Sequence, residues 1–236
     1  PRHAWMPNVN AGAIDAFAGS EAFLAGGGEM GARIRAFDWA ATSFGPPSHW
    51  PPSLRSAVSI LLGASFPTAI YWGPELRLLY NDAWIDVAGE RHPRALGAPG
   101  AEVWADIWEV VGPQFARIRA SGEGFSTFDQ LLPMRRGGVV AETYWNYSLT
   151  AIRDETGAVA GVFNQGHETT ARVLTERRQT FRLALEERLR EAGEPKQALQ
   201  AASELLGRRL DVQRVGYAEI EDAGSVRVEW EWTAPG

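Results

Sequence analysis

The chain has 236 residues, 45% of them apolar, with a net charge of −6, so it can bury a sizeable core as one large domain, or one domain and part of another. No apolar run approaches the roughly 20 residues that a membrane span requires, and the acidic balance gives no general attraction to nucleic acid. The absence of cysteine excludes disulfides, thiolate nucleophiles, Cys-ligated zinc, iron–sulfur clusters and any thiol-linked flavin or bilin. The first residues, "PRHAWMPNVNAGAID", lack a charged-then-apolar leader pattern, which makes the cytoplasm the expected location.

Residues 1 to about 30 are rich in Ala and Gly. Some helix is expected over "AIDAFAGSEAFLA", with "AGGGE" (25–29) as a flexible joint. A turn-rich stretch leads to Pro51-Pro52-Ser53, which opens a helix carrying Leu54, Ala57, Val58, Leu61 and Leu62 on one face. Two short extended runs follow, 66–73 and 76–81, joined by Gly-Pro-Glu as a hairpin. Helical pieces are expected at "DAWIDVAGE", "HPRALG" and from about Ala101, the last with Val103, Trp104, Ile107, Val110 and Val111 on its apolar side. Three strands then read as 124–136, 139–154 and 158–170, joined by Gly137-Gly138 and by Glu155-Thr156-Gly157. Two strands, a cluster of helices and three more strands predict an α+β layout, a five-stranded antiparallel sheet with helices over one face.

From Thr169 to about Leu210 the pattern becomes helical, with Val173 or Leu174, Phe181, Leu185 and Leu189 as an apolar seam among charges of both signs. Residues 168–211 hold nine Lys or Arg and eight Asp or Glu, so the segment reads as a mixed-charge solvated helix rather than a basic arm for nucleic acid. Such a narrow seam is buried when a second copy pairs with it as a coiled coil. Gly193 to Pro195 breaks the helix; a second one follows, then two alternating strands about an Asp-Ala-Gly turn.

The runs "FPTAIYWGPELRLLYNDAWIDVAGERHPRALGAPGAEVWADIWEVVGPQF" and "AETYWNYSLTAIRDETGAVAGVFNQGHETTARVLTERR" resemble the PAS domain of bacterial sensor histidine kinases and hybrid kinases. The resemblance covers about Ala64 to Arg178, and rests on "YND" before the first helix, "HPRALG", the last hairpin and the exit helix. From Phe181 onward the chain resembles the opening helix and first hairpin of a GAF domain. The resemblance implies an N-terminal helical extension (1–63), a PAS domain (64–170), a signalling helix (171–192) and the beginning of a GAF-like domain (193–236). It further implies a cavity between sheet and helices, a homodimer, and downstream GAF and kinase domains as partners. Nucleic acid and membrane are not expected as partners. The family's strand-end Asp-x-Thr is replaced here by Glu168, Thr169 and Thr170, in which the Thr hydroxyls can still cap.

Asn81 and Asp82 read as N-caps where a strand becomes a helix; a ligand or metal contact lacks a second carboxylate or His at chelating spacing. Glu168 and Thr170 are the corresponding junction at the exit helix. The cavity, if present, draws its lining from Tyr80, Trp84, Trp104, Trp108, Phe128, Tyr144, Asn146 and Asn164, although ten Trp in one chain also serve plain core filling. On "TYWNYSL", Tyr144, Asn146 and Ser148 share one face and Trp145, Tyr147 and Leu149 the other, so one set faces inward. Asn146 and Asn164 either bind a ligand's polar edge or each other. Of His3, His49, His92 and His167, only His92 lies near a position for haem, and it reads as a turn residue.

No catalytic residue, metal site, kinase core, P-loop or nucleophile elbow is expected. An enzyme using Asp82, Asp129 or Glu142 has no motif behind it. The expected function is sensory and dimerising: a small ligand or partner shifts the packing of the exit helix along Leu174, Phe181 and Leu185. A pure interaction module with an empty cavity, and a sensor holding noncovalent flavin or haem, are the alternatives; the cofactor is unknown.

Overall fold

The computed structural model describes residues 21–220 and 226–234. His3, most of the helix expected around residues 13–25 and the Asp-Ala-Gly turn at 222–224 lie outside them. The chain divides into two compact units, Pro1–Thr170 and Ala171–Gly236.

Within the first unit, helices α1 (Gly28–Ala36) and α2 (Pro52–Gly63) precede the sheet. All five apolar residues expected on one face of α2 are buried. The extension shares a single core with the sheet: Leu24, Met30, Ile34, Trp39 and Trp50 are each no more than 1% exposed and belong to the same apolar cluster as Ile70 and Leu78. Trp39 packs 5.3 Å from Trp50 and 4.9 Å from Phe44, and its indole N–H donates to the carbonyl of Ile34 at 2.7 Å. Rings of this size bury about 150–250 Å² each and dominate core energetics. The "AGGGE" stretch is an ordered turn rather than a joint. Gly26, Gly27 and Gly28 all have positive φ, and a Cβ on Gly28 would lie 1.9 Å from an oxygen of Asp82.

Strands β1 (Thr68–Trp72), β2 (Arg77–Tyr80), β3 (Phe125–Leu131), β6 (Tyr144–Arg153) and β7 (Val159–Glu168) form one sheet in the order β2-β1-β7-β6-β3, antiparallel throughout. The α+β class and the five-stranded antiparallel sheet are therefore as expected. The runs 124–136 and 139–154 are not single strands. Pro133 has no N–H to keep the ladder going, and Leu132 and Thr143 instead close a corner, Leu132 N–H donating to the Thr143 carbonyl at 2.9 Å. Beyond it, β4 (Met134–Arg136) and β5 (Val139–Ala141) form a separate ribbon around Gly137 and Gly138, whose φ values of 57° and 79° suit the tight turn.

Between β2 and β3 run α3 (Ile85–Ala88), α4 (Gly100–Val103) and α5 (Trp108–Ser121). The helix expected from Ala101 is broken at 104–107, and Val110 lies 38% exposed while Val103, Trp104, Ile107 and Val111 are buried. "HPRALG" is a run of turns, not a helix. Its backbone is taken up by the open edge of β2: Gly97 N–H donates to Leu78 at 2.8 Å and Leu78 N–H to Ala98 at 3.0 Å. Pro93 supplies no N–H for a helix, and the strand edge offers partners that would otherwise stay unpaired. At the other edge, β3 is bulged between Thr127 and Gln130, with Asp129 at φ 49°, which breaks the regular ladder that invites edge pairing.

Asn81 ties these pieces together. Its Oδ1 accepts from Trp84 N–H at 3.2 Å, capping the turn that starts α3, and from Thr68 N–H at 3.1 Å. Its Nδ2 donates to the carbonyls of Ala64 and Phe66, at 2.8 and 2.9 Å. Asp82 reaches a different helix: its carboxylate accepts from Glu29 N–H and Met30 N–H, at 3.1 and 2.7 Å, and so caps α1.

In the second unit, α6 (Thr170–Glu191) leads to α7 (Pro195–Leu210), β8 (Arg214–Ile220) and β9 (Val226–Thr233). The strands pair antiparallel, and α7 packs on them so closely at Gly207 that a Cβ there would lie 2.0 Å from the Trp232 ring.

Asn81→Ala removes the partners of the buried Thr68 N–H and of the Ala64 carbonyl, while the Phe66 carbonyl keeps the Thr68 hydroxyl, and is expected to cost about 3 kcal/mol. Asp82→Ala removes one exposed cap and is expected to cost about 1 kcal/mol. Thermal melts of the two variants check this ordering; equal melting temperatures would contradict it.

Candidate functional site

The sheet face that carries Tyr71, Tyr147, Leu149 and Asn164 is roofed by α3, α4, α5 and the start of the β4–β5 ribbon. Between them lies a cavity of about 50 Å³. Its walls are Tyr71, Trp84, Val87, Trp104, Ile107, Val111, Phe115, Leu132, Met134, Trp145, Tyr147, Leu149, Asn164 and Gly166. No charged side chain is among them. Gly166 is needed where it stands: a Cβ would lie 2.5 Å from that of Tyr147 and 2.7 Å from the carbonyl oxygen of Asn146.

Most polar groups around the cavity are satisfied. Trp104 Nε1 donates to the Tyr71 hydroxyl at 2.8 Å, Trp145 Nε1 to Thr143 Oγ1 at 2.8 Å, and the Tyr147 hydroxyl to Gln114 Oε1 at 2.7 Å. Two are not. Trp84 Nε1 and Asn164 Oδ1 are buried with no hydrogen-bond partner, and their residues are only 4% and 8% exposed. Leaving a buried donor or acceptor unmade costs about 1–3 kcal/mol, so these two atoms are conspicuous in an otherwise satisfied wall.

The expected lining residues divide. Trp84, Trp104 and Asn164 line the cavity; Tyr80, Trp108, Phe128, Tyr144 and Asn146 do not. Of the two alternating sets on β6, the inward one is Trp145, Tyr147 and Leu149. Asn146 belongs to the other set, and its Oδ1 accepts from Asp129 N–H at 2.7 Å. Asn146 stands opposite His167 and Asn164 opposite Leu149, so the two amides do not meet. Phe128 falls in the β3 bulge, where the inward–outward alternation slips, and is 78% exposed. Trp108 backs the wall from behind, stacked at 5.8 Å on Phe115. Tyr80 is buried beside the cavity with its hydroxyl 2.9 Å from His92 Nδ1, and His92 Nε2 lies 3.1 Å from Glu29, so this histidine joins β2 to α1 rather than facing the cavity. Arg33 first, then His92, hold the Glu29 carboxyl below its ordinary range. Sequence reasoning missed Tyr71, Phe115, Leu132 and Met134. Strict alternation on β1 places Tyr71 with Ala69, and only the position of α5 shows that this face is the inner one.

At the exit, the side chains of Glu168 and Thr170 bond elsewhere than to helix N–H groups. Arg136 forks onto Glu168 at 2.8 and 3.2 Å, and Thr170 Oγ1 accepts from Tyr144 N–H at 2.9 Å. Thr169 Oγ1 donates to Asp129 at 2.7 Å. The last residues of the first unit are thus held by β3, β4 and β6. On α6 itself, Val173 is buried, Leu174, Phe181 and Leu185 are half-buried, and Leu183 and Leu189 are 63% and 42% exposed. Among the described residues no group of His, Asp and Glu could hold a metal, and Asp82, Asp129 and Glu142 all lie outside the cavity.

No family model and no curated protein matches this sequence. Among solved structures, the chain is similar to a sensory box sensor histidine kinase from Vibrio cholerae, at 14% identity over 49% of this chain and 88% of that one, TM-score 0.34. It is similar to the PAS domain of BvgS from Bordetella pertussis, at 21% identity over 51% and 90%, TM-score 0.39. It is also similar to the VqmA dimer of Vibrio cholerae, a protein with a target DNA, at 18% identity and TM-score 0.38, covering 49% of this chain and 51% of that one. At these identities and scores the fold reading stands on the sheet of this chain. Its five antiparallel strands, with helices over the cavity face, are consistent with a PAS fold. No helix among the described residues is long and apolar enough to cross a membrane.

Burial sets the alkaline behaviour of this layer. It pushes the phenols of Tyr71 and Tyr147 up, and that of Tyr80 from 10.0 to about 12. Because the folded state holds these protons longer, their contribution is fully present below pH 10.0 and declines as the pH rises above it, that of Tyr80 being lost through about 12. An ultraviolet titration of tyrosinate is expected to show Tyr71, Tyr80 and Tyr147 ionising late, with unfolding; their ionisation near pH 10.0 with the fold intact would contradict the packing described.

Proposed function

We propose that this chain is the sensory PAS module of a bacterial signalling kinase, with the beginning of a GAF-like domain behind it. In this reading a small ligand enters the aromatic cavity, and the change is passed to α6 through the residues that launch it. The aromatic cavity with two unpaired polar atoms in its wall is the observation that carries this reading, since a ligand with one donor and one acceptor can satisfy both. The bonds from Asp129, Tyr144 and Arg136 to residues 168–170 supply a route, because a shift of β3, β6 or the β4–β5 ribbon alters how α6 starts. Signalling requires two arrangements that differ in contacts, and the half-buried seam of Leu174, Phe181 and Leu185 supplies a surface that a second copy can cover.

The partners in this reading are a second copy and downstream GAF and kinase domains in the cytoplasm. Nucleic acid is not among them, in keeping with the acidic charge and the mixed charges of α6. A module with an empty cavity is the second reading, favoured by the small volume. Flavin or haem is disfavoured: sites for molecules of that size run to roughly 300–1,000 Å³, far above what lies between these walls.

The double substitution Phe181→Asp and Leu185→Asp is expected to convert a dimer to a monomer without loss of the first unit's fold. Light scattering with size-exclusion chromatography measures this, and a mutant that stays dimeric sinks the role given to α6.

A further inference from the structure

We infer that the cavity is built for a small, uncharged, planar molecule that carries one hydrogen-bond donor and one acceptor, held between the side-chain amide of Asn164 and the indole N–H of Trp84. The inference rests on the sensory reading and names the ligand class of that site. Each property follows from a different observation. The guest is small because the cavity is about 50 Å³, which admits a molecule of a handful of non-hydrogen atoms. It is uncharged because no charged side chain lines the walls, and a buried unpaired ion would be expelled or neutralised. It is planar because Trp84, Trp104, Trp145 and Tyr71 present ring surfaces, against which flat groups pack face or edge on.

Its polar pattern follows from the two unpaired atoms. Trp84 Nε1 is a donor only, so it demands an acceptor. Asn164 Oδ1 demands a donor, while the N–H side of the same amide is engaged with the Tyr71 hydroxyl, so the guest presents its donor to Asn164 and its acceptor to Trp84. An apolar guest of the same size would fill the space and leave both atoms unmade. Water can satisfy them, but it leaves the ring surfaces without stacked partners, so a flat heterocycle gains on both counts.

Pyrazole is the probe, a five-membered aromatic ring with an N–H and a ring nitrogen acceptor, neutral at pH 7; thiophene is the control of like shape without the donor. Saturation-transfer NMR and thermal shift on the full chain are expected to show pyrazole binding with a dissociation constant of about 1 mM or tighter, and thiophene at least about fivefold weaker. Asn164→Leu and Trp84→Phe are each expected to weaken pyrazole about fivefold while leaving thiophene within about twofold. Should Asn164→Leu fail to fold by near-ultraviolet circular dichroism, Trp84→Phe, which removes the donor together with part of the ring, carries the test through the ratio of pyrazole to thiophene binding, in which the lost ring surface is common to both probes. Equal binding of the two probes, or pyrazole binding unchanged in the variants, overturns the inference. Selective pyrazole binding with no change in dimerisation would support the ligand class while sinking the signalling role, so the two failures are distinguishable.

Discussion

One side chain amide makes four hydrogen bonds to backbone at the point where β2 becomes the roof of the cavity. Asn81 accepts from Trp84 and Thr68 and donates to Ala64 and Phe66, which joins the end of α2, the start of β1, the end of β2 and the first turn toward α3. It is 2% exposed, so none of these bonds has water as an easy substitute. The cavity depends on it because Trp84, two residues beyond Asp82, is oriented by the turn that Asn81 caps. Asp82, its neighbour, performs the same operation on α1 from outside that helix. Two adjacent residues thereby fix both the roof of the cavity and the N-terminal extension.

The cavity itself illustrates how a wall can be almost fully satisfied and still be reserved. Tyr71, Trp104, Trp145 and Tyr147 each have a partner at 2.7–2.8 Å, so their rings are held in place. Trp84 and Asn164, on opposite sides of the sheet-to-roof gap, have none for the atoms that matter. In the ligand-binding reading, rigid rings around two unsatisfied atoms would spare a guest the cost of ordering the walls on entering. The exit side differs, since the side chains of Glu168, Thr169 and Thr170 are all hydrogen-bonded, to Arg136, Asp129 and the Tyr144 N–H among others.

Alternation and helical spacing made much of this legible. The antiparallel sheet, the buried face of α2, the Gly137-Gly138 turn and the strand-to-helix junction at Asn81 follow from local rules that act within a few residues. Failures occurred where a distant partner outbid the local preference. "HPRALG" gave up a helix to pair with the edge of β2; 124–136 was cut at Pro133; Phe128 was turned outward by the bulge at Asp129. The "AGGGE" stretch, flexible by composition, is fixed because Asp82 bonds the backbone of its last residue, Glu29, and of Met30 after it.

By itself the sequence determined the class of fold, the five antiparallel strands of the main sheet, and the chemistry that a cysteine-free chain cannot perform, because these depend on composition and short-range periodicity. The tertiary structure decided which face of β6 looks inward, placed Tyr71, Phe115, Leu132 and Met134 around the cavity, and set its volume. It also showed that Asn164 and Trp84 carry the two unpaired atoms. Whether a polar atom is satisfied depends on what residues remote in sequence bring within about 3 Å of it, and no local pattern records that.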